Sequence, residues 1–77
     1  MTNSTIKLVQ INIKKYRKQR GITQLKLSIM TGISKDYITA IECGKRTPSI
    51  KTLDLISKAL KIEVYKFLKD EWNFFAA

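Results

Sequence analysis

The stretch GITQLKLSIMTGISKDYITAIECGKR, residues 21–46, restricts the fold more than any other part of the chain. Gly21, Gly32 and Gly44 divide it into two short amphipathic segments. Thr23 predicts a capped helix over 24–31, stopped by Gly32; Ser34 predicts a second over 35–42, ended by Gly44. Helices of this length do not hold in water on their own. Neighbouring elements must clamp them through Ile22, Leu27, Ile33, Ile38 and Ile41. Two helices joined by a short turn containing glycine, the second opened by a small polar cap, make a helix-turn-helix spanning about 24–42. The remaining chain then serves as the scaffold that presents residues 35–42.

That scaffold is legible as three further helices. Ile6, Val9, Ile13 and Tyr16 fall at helical spacing, with Lys7, Lys14, Lys15 and Lys18 on other faces, so residues 6–20 read as a first helix. Pro48 and Ser49 mark the start of a fourth over 50–60, whose apolar face carries Ile50, Leu53, Ile56, Ala59 and Leu60. A fifth, near 64–73, presents Val64, Phe67, Leu68 and Trp72. No segment reads as a strand, a linker or a repeat. With only 77 residues, the expectation is one all-α, five-helix domain over 1–77 with a single small core.

The net charge of +9 is concentrated in the first half of the chain. Residues 1–46 hold ten Lys and Arg against Asp36 and Glu42, or +8; residues 47–77 hold five against four acids, or +1. Such asymmetry points to a polyanion partner, nucleic acid ahead of membrane, because no basic stripe backs a wide apolar face. With no His and one Cys, Cys43, the chain offers no metal cluster, no Cys/His nucleophile pair and no disulfide. Neither an enzyme nor a cofactor is expected. No apolar run approaches the ~18 residues of a membrane span, and MTNSTIKLVQ lacks the order of a signal peptide, so the expected location is the cytoplasm.

The segments IKKYRKQRGITQ, GISKDYITAIECGKRTPSI and LDLISKALKI resemble the phage-repressor and Cro-like helix-turn-helix regulators. Within that family the chain looks most like the controller proteins of restriction-modification systems. The resemblance runs over residues 13–62 and rests on several motifs in order: Thr-Gln before an apolar helix, Y-I-x-x-I-E-x-G, and Pro-Ser before helix four. It implies a lambda-repressor-like fold and a dimer on a palindromic double-stranded operator. Lys26 and Ser28 depart from the acidic residue and Ala common at those places, and Glu63 replaces the usual small polar cap of helix five.

What the resemblance implies for single residues is specific. Gln24 is similar to the family's phosphate-anchoring Gln, at a helix N-terminus whose free N–H groups favour an anion; Thr23 and Ser34 flank the same backbone. Arg17 and Glu42 resemble the family's buried ion pair. Helix three lies in the major groove, where Lys35, Asp36, Thr39 and Ala40 point outward. Lys35 can donate to guanine, and Thr39 can offer a hydroxyl or a methyl. Asp36 either stabilises its helix start or accepts from cytosine, and Tyr37 spans the backbone or meets a base. Lys45, Arg46 and Thr47 are placed to clamp phosphate.

Oligomeric state is read from the end of the chain. Trp72, Phe74 and Phe75 exceed what one helix needs to dock, so with Val64, Phe67 and Leu68 they suggest a homodimer through residues 63–77; closing the monomer core is the competing use. Leu25 and Ile29 either touch a partner or repack inward. Activating members touch RNA polymerase through an acidic patch on helix two, a sign that Lys26 does not supply. The expected function is an autoregulatory controller of a restriction-modification operon. A phage or mobile-element repressor is the alternative, as is an antitoxin-type module that binds a protein partner.

Overall fold

The computed structural model describes residues 3–69. Four α-helices and a closing 3-10 helix follow one another: α1 (Asn3–Gln19), α2 (Gln24–Thr31), α3 (Lys35–Glu42), α4 (Ile50–Leu60) and the 3-10 helix Val64–Leu68. Among the described residues there is no strand, and no helix is long and apolar enough to cross a membrane.

Local chemistry sets the limits of the three middle helices. The Thr23, Ser34 and Ser49 hydroxyls accept from the backbone N–H of Lys26, Tyr37 and Thr52, each satisfying a donor that the first turn leaves orphaned. At the end of α2, Gly32 takes a left-handed conformation at φ 77° and returns its N–H to the Ser28 carbonyl, 2.9 Å away. The end of α4 is similar in shape and different in chemistry. There Lys61, at φ 56°, is the non-glycine residue with positive φ among those described, and the Arg20 guanidinium caps the α4 carbonyl of Leu60 at 3.0 Å.

The core forms where the apolar faces of all five elements meet. Val9 and Ile13 of α1, Leu27 of α2, Ile38 and Ile41 of α3, and Leu53, Ile56 and Leu60 of α4 enclose Phe67, all essentially free of solvent. The Tyr16 and Phe67 rings meet edge to face, with centroids 5.9 Å apart. Ile22 and Ile33 lie partly buried at the rim of this cluster. Leu27, Ile38 and Ile41 thereby tether the two short helices to α1 and α4.

Three expectations need correction. The first helix starts at Asn3 rather than residue 6. The fifth helix, expected over 64–73, is a 3-10 turn closing at Leu68. Glu63 gives it no side-chain cap, and the amide of buried Asn12 donates to the carbonyls of Phe67 (2.8 Å) and Lys69 (2.9 Å), ending the turn from across the molecule. Phe67, expected at a dimer interface, is 0% exposed and belongs to the core. Val64 packs partly buried against the same cluster, and Leu68 remains 43% exposed. Trp72, Phe74 and Phe75 lie outside the described residues.

Candidate nucleic-acid interface

The site is built from α3 outward. Ile38 and Ile41 anchor one side of the helix in the core, so the opposite side faces solvent with Lys35 and Asp36 exposed at its start. Tyr37 is different: it is half buried and packs on the core rim, which removes much of its ring from any groove. Ala40, also half buried, contributes through its backbone. Its carbonyl accepts from the N–H of Lys45 at 2.8 Å and of Arg46 at 3.2 Å, folding the loop back onto the end of α3.

Beneath the helix lies a continuous polar network. Arg17 grips Glu42 with two parallel bonds, Nε to Oε2 at 2.7 Å and Nη2 to Oε1 at 2.9 Å, and donates a third to the Ile22 carbonyl. Glu42 Oε1 also accepts from Gln24 Nε2 at 3.0 Å, and Gln24 Oε1 accepts from the Thr39 hydroxyl at 2.8 Å. Helices α1, α2 and α3 are thus joined by four side chains. Burial pushes the Glu42 carboxyl up, yet the hydrogen bonds from Arg17 and Gln24, with the charges of Arg17 and Lys14, outweigh it and hold its pKa below the ordinary glutamate value.

This network changes the reading of two residues. The Thr39 hydroxyl, expected to offer itself to a base, spends its one donor on Gln24. The Gln24 amide, expected to face a phosphate freely, has its carbonyl and one N–H engaged internally. One amide N–H remains, together with the backbone N–H groups at the start of α2 that the helix ladder leaves open. Thr23 and Ser34, both exposed, accept from their own helices and keep their hydroxyl hydrogens.

The second flank is the loop carrying Lys45, Arg46 and Thr47, all exposed. Its shape is held by a residue that local sequence reading missed. Gln10 of α1, buried and 36 positions away, donates from Nε2 to the Arg46 carbonyl at 3.0 Å. A Gln among exposed lysines carries no local signal of such a role, apart from falling on the buried face of α1. On the outer side of α2, Leu25 and Ile29 are 56% and 69% exposed, which overturns the inward-packing alternative for both.

The arrangement is therefore a solvent-facing helix start between two donor-rich flanks, all on the strongly positive half of the chain. A family model described as helix-turn-helix matches residues 13–67. The chain is 42% identical over 62 residues to the HTH-type transcriptional regulator YqaE of Bacillus subtilis, covering 80% of this chain and 53% of YqaE. It is 36% identical over 59 residues to the immunity repressor protein of Bacillus phage phi105, covering 77% of this chain and 41% of the repressor. The chain thus spans about half the length of these curated relatives. The crystal structure of the wild-type restriction-modification controller protein C.Esp1396I superposes with a TM-score of 0.79 at 31% identity, covering 87% of this chain and 90% of that one.

Proposed function

The chain belongs to the helix-turn-helix family of DNA-binding transcriptional regulators, and from that membership we propose that it binds a palindromic operator in duplex DNA as a homodimer and controls its own operon. The observation that carries this reading is the exposed start of α3 between two flanks rich in unspent donors. Lys35 and Asp36 read base edges, with Ala40 admitting a thymine methyl and Tyr37 reaching only the backbone. Gln24, Thr23 and Ser34 hold one phosphate strand, and Lys45, Arg46 and Thr47 the other. Arg17 and Glu42 hold these parts in register. Thr39 acts by orienting Gln24 through its hydroxyl.

Similarity to a restriction-modification controller supports control of such an operon; similarity to a phage immunity repressor supports the second reading, a mobile-element repressor. Residues 63–77 are the proposed dimerisation segment, with Tyr65 and Leu68 the exposed large hydrophobic residues of the closing turn. Selection of bound duplexes from a random library at near-physiological salt tests the proposal. A two-fold-symmetric site is expected, and a promoter carrying it upstream of the chain's own gene should respond to the protein. Duplexes recovered without a shared motif would sink sequence-specific control.

A further inference from the structure

Beside the end of α3 the surface sinks into an open cleft of about 430 Å³, lined by Ile11, Lys14, Lys15 and Lys18 of α1 and by Glu42. Of its lining residues, Glu42 also belongs to the polar network beneath α3. The three lysines lie within two turns of one helix, and neither Lys14 nor Lys18 takes part in a salt bridge among the described residues. Neither ammonium is therefore held in a close ion pair. The floor is electrostatically quiet, because Glu42 is neutralised by Arg17 and is only 2% exposed at its side chain. A pocket for a small organic ligand is usually walled by apolar and aromatic side chains. Here the lining is three lysines, one isoleucine and one glutamate, with no aromatic ring.

Position identifies the occupant. Glu42 is shared between this cleft and the Gln24 anchor, since its Oε1 accepts from Gln24 Nε2 at 3.0 Å, and the Lys14 charge is felt at the same carboxylate. The cleft is thus one carboxylate away from the Gln24 side chain at the start of α2, where a phosphate would meet the open N–H groups. We propose that Lys14 and Lys18 form a third phosphate-binding element, receiving the DNA backbone adjacent to the phosphate held by Gln24. The proposal rests on the duplex-binding reading above and extends the protein's footprint along that strand. The lysines carry affinity and register, with no part in the choice of bases.

The test uses the full chain and its selected operator duplex, with single phosphates replaced in turn by neutral methylphosphonates. The variant Lys14→Gln/Lys18→Gln should weaken every sequence alike and reduce the salt slope of log K by about 1.8, at ~0.9 per phosphate lost. Its deficit relative to the unmodified protein should accordingly shrink about tenfold between 50 and 200 mM salt. At one or two phosphates next to the Gln24 anchor, neutralisation should hurt the unmodified protein and leave the double variant indifferent. A control pair at the C-terminal end of α4, Lys58→Gln/Lys61→Gln, should keep the full phosphate profile. If the double variant stays sensitive at every phosphate, the lysines act only as a diffuse field and the proposal is overturned. Failure of the unmodified protein to bind any duplex would instead overturn the function proposed above, which separates the two failures.

Discussion

At Arg17 and Glu42 a charge pair with side chains only 9% and 2% exposed is completed on every side by hydrogen bonds. Removing one member strands the other, so Arg17→Ala should destabilise the fold by ~3 to 5 kcal/mol in denaturant titration. The acid side carries its own signature. Because the Glu42 pKa is lowered in the folded state, its contribution is complete above the unfolded value near ~4.3 and is lost as pH falls through the lower folded value. Stability should therefore decline below that range, and Glu42→Gln should start less stable at neutral pH and flatten the acid limb of the profile. Base reading divides from backbone holding in the same manner. Lys35→Ala should relax choice at one or two base pairs by ~1 to 3 kcal/mol, whereas Arg46→Ala should weaken all sites equally and lower the salt slope by ~0.9. Uniform weakening by Lys35→Ala would remove its assigned role.

Among the elements, those whose limits are written locally were the legible ones. Thr23, Ser34 and Ser49 stand three residues before the N–H groups they cap, so the bounds of α2, α3 and α4 follow from neighbours in sequence. The closing turn is set from afar. Asn12 reaches Phe67 across 55 positions and stops what apolar spacing alone reads as a longer helix. Gln10 is a second instance, shaping the loop of Lys45 and Arg46 from 36 positions away. The Gln24 to Thr39 bond likewise joins two helices across their turn, and no spacing rule marks it. Asn12→Leu should leave the Phe67 and Lys69 carbonyls short of this donor and cost ~1 to 3 kcal/mol, with the loss seen first as faster hydrogen exchange in residues 64–69. Phe67→Ala, which empties the space those residues close, should cost ~3 to 5 kcal/mol.

As a whole molecule, the chain separates a rigid frame from a thin, positively charged working surface. Sedimentation at increasing protein concentration should show monomer passing to dimer, with Leu68→Lys shifting the transition to higher concentration; an unmoved transition would place the dimer contact elsewhere. The frame also limits how such a protein can change its target. Ile38 and Ile41 are committed to the core, Thr39 and Glu42 to the polar network, and Tyr37 in large part to the rim. Of the eight positions in α3, only Lys35, Asp36 and Ala40 are left without such duties. A lineage carrying this scaffold thus explores new operators through a vocabulary of three letters, and a laboratory library confined to those three positions would sample most of the recognition codes the fold can tolerate.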